Sequence, residues 1–174
     1  MSAIETFVFD EYLLRPAGPK DLALAEDWTE ADDWHRANTP ARFWLQQGRG
    51  VDSWLLKDKD GPIYFARLKM IDLKAGDPGP AEVLYDTEGA GRCVRLDVQF
   101  MPAKSREAAI RIRAGIQKGL AWLLPKLEQA GVSELYFDSK SETLIRFCVT
   151  HLGFEQQGER LCKMLSPETA ASRL

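Results

Sequence analysis

Apolar and polar positions alternate most cleanly over residues 93–100. Val94, Leu96, Val98 and Phe100 share one face, and Cys93, Arg95, Asp97 and Gln99 share the other, which is the period of a half-buried strand. The period then changes. Ile112, Ile116, Leu120, Leu123, Leu124 and Leu127 recur at helical spacing and predict a long amphipathic helix that ends near Ala130-Gly131. Ser105 can cap its start, Glu107 complements the dipole, and Pro125 should bend the last turns. A strand over 134–138, a short helix over 141–152 closed by Gly153, and a final strand over 161–165 follow.

The N-terminal half is less regular. Residues 7–14 read as one mixed strand ending at Arg15-Pro16. Pro19-Lys20-Asp21-Leu22 opens a helix that fades into the acidic stretch ending at Trp34-His35, and Thr39-Pro40 opens a short one over 41–47. Strands over 51–57 and 63–71 flank Asp58-Lys59-Asp60-Gly61-Pro62, where Asp-Gly marks a hairpin because glycine tolerates positive φ. Residues 72–91, rich in glycine and proline, read as a long loop with a strand-like island at 81–85. Residues 1–166 are expected to form one domain, with 167–174 a frayed tail.

Composition narrows the class. In 174 residues, 45% hydrophobic and 28% charged side chains describe an ordinary globular chain rather than a disordered one. No apolar run approaches the roughly 20 residues that span a bilayer, and the N-terminus reads as carrying no signal peptide. A cytoplasmic protein without a membrane partner is expected. Cys93, Cys148 and Cys162, at unrelated spacings, are expected to be reduced and buried, with no disulfide framework or metal cluster. A net charge of −3 argues against general nucleic-acid binding. The charge is uneven: Lys104, Arg106, Arg111, Arg113 and Lys118 crowd one helix, while Glu26, Asp27, Glu30, Asp32 and Asp33 crowd another segment. A basic patch on an acidic chain suits a small anionic ligand better than a polyanion.

The order strand, two helices, hairpin, strand, helix, strand, helix, strand resembles that of the GNAT acetyltransferase superfamily over nearly the whole chain. Leu14-Arg15-Pro16-Ala17 with Asp21-Leu22 is similar to the family's first strand and turn, and Leu144-Ile145-Arg146-Phe147 through Leu152-Gly153-Phe154 to its last helix and following turn. The resemblance implies an α/β (α+β) fold with a mixed, mostly antiparallel sheet flanked by helices. It also implies that acetyl-CoA lies along 93–100 and the next helix, with backbone groups near Val98 and Phe100 on the pantetheine. The pyrophosphate loop maps onto Arg106-Glu107-Ala108-Ala109-Ile110-Arg111, where Ala109 and Arg111 replace the usual glycines. Lys104, Ser105, Arg106, Ala109 and Arg111 are then the cofactor-binding candidates, the arginines gripping phosphate through their side chains. A later register on Arg113-Ala114-Gly115-Ile116 is the alternative, and so is a solvated basic face that binds nothing.

Acetyl transfer to an amine needs a base. Asp97, on the polar face of the strand, is the first candidate; the competing role is an ion pair with Arg95. Asp86 and Glu88 precede the same strand. The family's usual acid, a tyrosine four residues before the glycine, is replaced by Val149. His151 reads as a helix-end residue, and His35 as exposed. Of Trp28, Trp34, Trp44 and Trp54 most are expected in the core, with one or two walling an acceptor pocket. Two readings follow: an N-acetyltransferase taking a small-molecule or protein amine, with a homodimer left open, or a catalytically degenerate GNAT-like binding or regulatory module.

Overall fold

The computed structural model describes residues 6–71 and 92–165. The expected loop over 72–91, with Asp86 and Glu88, and the tail over 167–174 lie outside the described residues. Among the described residues eight strands form one sheet in the order β1-β2-β3-β4-β5-β6-β8-β7. They are β1 (Phe7–Phe9), β2 (Tyr12–Pro16), β3 (Val51–Asp58), β4 (Gly61–Ile71), β5 (Arg92–Phe100), β6 (Val132–Asp138), β7 (Glu155–Gln157) and β8 (Arg160–Met164). The helices are α1 (Leu22–Ala31), α2 (Asp33–Asn38), α3 (Arg106–Gln129) and α4 (Glu142–His151). The expected mixed, mostly antiparallel α/β architecture is found. No helix among the described residues is long and apolar enough to cross a membrane.

By its contacts the chain divides into two compact units: Met1–Gln47, Asp52–Arg67 and Val98–Leu120 form the first, and Gly48–Val51, Leu68–Asp97 and Ala121–Leu174 the second. In the first unit the single strand expected over 7–14 is a hairpin. Asp10 takes a positive φ of 53° and turns the chain, so that Phe7 pairs with Leu14 and Phe9 with Tyr12. A short polar side chain makes that conformation tolerable. The helix expected to fade toward His35 is two helices, broken at Asp32, whose extended backbone and carboxylate cap α2 by accepting from His35 N–H at 2.9 Å. The helix expected over 41–47 is a 3₁₀ turn over Ala41–Leu45.

Ala17, Ala25, Trp28, Trp44, Leu55 and Phe65 make the first unit's apolar cluster, with Trp28 edge-on to Phe65 at 5.4 Å. Tyr64, next in β4, packs instead beneath α3 and donates its hydroxyl to Gly115 C=O at 2.9 Å. Gly115 and Gly119 permit this approach. A Cβ on Gly115 would lie 3.3 Å from both Ile63 and Tyr64, and one on Gly119 would overlap the Tyr64 hydroxyl.

In the second unit β6 pairs antiparallel with β8 and β8 with β7, while β5 runs parallel to β6. Val94, Leu127, Val132, Leu135 and Leu161 are buried there. At the end of α4, Gly153 takes a φ of +74°, and Lys163 donates to Leu152 C=O at 3.0 Å, satisfying a helix-end carbonyl.

Candidate functional site

The start of α3, in the first unit, is built as expected. Ser105 Oγ accepts from Ala108 N–H at 3.1 Å, capping a helix whose positive pole attracts anions. Lys104, Arg106 and Ala109 are exposed around that pole. Ala109, expected from the sequence to stand at a glycine position of the pyrophosphate loop, is exposed there. Arg111 is placed differently from a free phosphate ligand. Its Nε and Nη2 donate to Asp58 Oδ2 and Oδ1 at 2.8 and 2.7 Å, and Nη2 also reaches Gly61 C=O at 3.1 Å. That hydrogen-bonded guanidinium holds the Asp58 carboxyl below the usual carboxylate range. Sequence reasoning missed Asp58 because an acid before Asp-Gly reads as turn chemistry.

Val98 and Phe100 continue β5 into this unit and are half-buried, with Phe100 edge-on to Tyr64 at 5.8 Å. Between them Gln99 is buried, so the expected polar face of the strand does not stay exposed to its end. Gln99 donates to Phe100 C=O at 3.1 Å, while its own Oε1 finds no partner among the described residues.

In the second unit the β5–β6 ladder runs from Arg92↔Val132 through Arg95↔Tyr136 and ends there, although both strands go on. Phe137 and Asp138 pair with β8, through Leu161 and Arg160. Leu96 and Asp97 thus lie beyond the last registered pair. Arg95 Nε meets Asp97 at 3.2 and 3.3 Å, the pairing weighed against a role as base, and Arg95 Nη1 meets Asp138 Oδ2 at 3.2 Å. Arg160 Nε donates to Asp138 Oδ1 at 3.0 Å and holds that carboxyl below the usual range. Asp138 and Arg160 gave no signal in the sequence, since their meeting depends on the β6–β8 register.

Back in the first unit, Glu26, Asp27, Thr29 and Glu30 of α1 line an open groove of about 450 Å³ with Arg36, Thr39, Pro40 and Ala41. Thr29 is buried, and its hydroxyl has no partner among the described residues. Trp28, Trp44 and Trp54 are core; Trp34 alone of this group is exposed. His35, expected to be exposed, is half-buried, its ring 5.2 Å from Trp34, 5.3 Å from Trp44 and 3.6 Å from Asp32 Oδ1. The break at Asp32 turns it toward the aromatic cluster. In the second unit Val149 is exposed, and His151 lies in the last turn of α4. All three cysteines are free: Cys148 and Cys162 are buried and Cys93 is half-buried.

Neither a family model nor a curated protein matches the chain by sequence. Solved structures do match its fold. The aminoglycoside acetyltransferase AAC(6')-Ib in complex with coenzyme A and kanamycin superposes with a TM-score of 0.57 at 17% identity, covering 93% of this chain and 98% of that one. The GNAT domain of S. lividans PAT gives 0.56 at 12% identity over 88% and 90%. Arabidopsis thaliana NAA60 in complex with acetyl-CoA gives 0.52 at 15% identity over 88% and 98%. The chain has the GNAT fold, at low sequence identity to these structures.

Proposed function

We propose that this protein is an acetyl-CoA-dependent N-acetyltransferase acting on a cationic amine, carried by a small molecule or a protein. The observation that carries the reading is the β5–β6 ladder that stops at Arg95↔Tyr136 while both strands continue. Peptide groups past a terminated ladder still need hydrogen-bond partners, and an extended chain of amides supplies them. The fold's likeness to structures crystallised with coenzyme A or acetyl-CoA points the same way.

In this reading the backbone of Val98 and Phe100 holds the pantetheine. The first turn of α3, with Ser105 fixing its start and Lys104 and Arg106 beside it, holds the pyrophosphate. Ala109 leaves that approach open, and Arg111 contributes to it only by loosening its grip on Asp58. Acetyl-CoA supplies the thioester carbonyl that the acceptor nitrogen attacks. Asp97 is the base: it takes the proton that the amine must lose before its lone pair can form the N–C bond. The nitrogen releases its second proton to solvent as the C–S bond breaks, and the departing sulfur takes a proton from solvent, because Val149 has none to give. Glu26, Asp27 and Glu30 along the α1 groove favour an acceptor that arrives positively charged.

The test is a calorimetric titration with acetyl-CoA, free CoA and ATP, followed by thiol release with a panel of primary amines. Micromolar acetyl-CoA binding that ATP does not match, and turnover that falls in Asp97→Asn while affinity holds, are the expected results. Absence of binding at millimolar acetyl-CoA would sink the reading and leave the degenerate module in its place.

A further inference from the structure

Where the β5–β6 ladder ends, side chains take over the task of tying the strands together. Arg95 belongs to the last registered pair, yet its guanidinium serves residues beyond it. Nε reaches Asp97, two residues ahead on the same strand, and Nη1 reaches Asp138, two residues past Tyr136 on β6. Asp138 is in turn gripped by Arg160 of β8 at 3.0 Å, its Cα partner in the β6–β8 ladder. The Arg160 guanidinium also lies over the Tyr136 ring at 4.3 Å, which fixes its plane. Charges therefore alternate along one face, Arg160, Asp138, Arg95, Asp97, across three strands.

We infer that this ion chain is a positioning device for Asp97, with Asp138 and Arg160 as positioning residues that act through Arg95. The inference rests on the reading of Asp97 as base. Its physical basis is a conflict built into the strand. A ladder continued to Asp97 would consume the peptide groups the cofactor needs; a ladder that stops at Arg95↔Tyr136 leaves those groups for the cofactor and places Asp97 beyond the last registered pair. The Arg95–Asp97 contact is local to β5, two residues apart, and can shift as a unit. Anchored to Asp138 on β6, and through it to Arg160 on β8, the Arg95 guanidinium is referred to strands whose own pairing continues. Asp138 and Arg160 are each more than one-third exposed, so their pair contributes little to stability and a catalytic effect of its loss can be read separately.

The experiment compares wild type with Asp138→Asn, Asp138→Glu, Arg160→Gln and Asp97→Asn. Thiol release is followed from acetyl-CoA with the best acceptor among putrescine, lysine and a lysine-containing peptide, alongside acetyl-CoA calorimetry and thermal melts. Asp138→Asn and Arg160→Gln should lower kcat about tenfold or more, the size expected of a misplaced catalytic group. Acetyl-CoA affinity and melting temperature should hold, and Asp138→Glu should recover most of the lost rate. Wild-type kcat in both variants, with turnover lost in Asp97→Asn, overturns the positioning role and leaves the base in place. A loss of kcat that merely tracks a fall in melting temperature overturns it too. Wild-type turnover in Asp97→Asn, or none in the wild type with any acceptor, overturns the base itself and the chain with it.

Discussion

Replacing Arg111 by alanine separates two roles that the sequence could not distinguish. The arginine makes two charge-assisted bonds to Asp58 at 2.7 and 2.8 Å and a third to the Gly61 carbonyl. Its side chain is 21% exposed and that of Asp58 14%, so the pair is neither a solvated surface contact nor fully interior. Exposed pairs contribute up to about 1 kcal/mol, and stripping one partner from a fully buried pair costs about 3–5 kcal/mol. A cost of about 2 kcal/mol lies between, within the range for hydrogen bonds to charged groups. For a domain of this size that lowers the melting temperature by about 4–8 °C. The sign with pH follows from Asp58, whose folded pKa is depressed by Arg111. The contribution is complete above the unfolded carboxylate pKa and is lost as pH falls through the lower folded value. The gap between wild type and Arg111→Ala should therefore be full at neutral pH and close in acid below the usual carboxylate range. Urea denaturation at several pH values measures it, and acetyl-CoA calorimetry on the same samples should show affinity changed by less than about twofold. An unchanged stability with a large loss of acetyl-CoA affinity would refute the argument and return Arg111 to the phosphates.

Two further outcomes follow from packing. Gly119→Ala should destabilise by about 1–3 kcal/mol through overlap with the Tyr64 hydroxyl. In a Tyr64→Phe background the same change should be neutral or stabilising, because alanine is the better helix former; simple additivity of the two in denaturation would disprove the contact. Burial pushes the Cys148 thiol up to about 11, so at pH 8 iodoacetamide should label it only on unfolding, and rapid labelling of the native protein would count against its placement.

What could be read in advance was local. Asp60-Gly61 announced the β3–β4 hairpin, the alternation through Val94 and Leu96 announced β5, and the spacing from Ile112 to Leu127 announced α3, with Ser105 capping it as the structure shows. The errors came where one residue's backbone decides the outcome. A positive φ at Asp10 splits the first strand, and an extended Asp32 splits the first long helix and carries His35 inward. Among candidate site residues, Asp97 and the stretch from Lys104 to Arg111 could be named in advance because they lie on a regular strand or at the start of a regular helix. Asp58, Asp138 and Arg160 could not: each acts through a partner 53 or 22 residues away along the chain, brought together by the approach of α3 to the end of β3 for Asp58 and by the β6–β8 register for Asp138 and Arg160.

The strands at the two ends of the sheet order, β1 and β7, are three residues each. A three-residue edge offers a newcomer only one or two backbone bonds, too few to repay the entropy of docking a strand. In β7 the three side chains are Glu155, Gln156 and Gln157, all exposed, which makes the approach of another apolar chain costlier still. Growth of the sheet is thus discouraged at both ends, and the chain can carry an interrupted ladder in its interior without presenting a long template for aggregation at its rims.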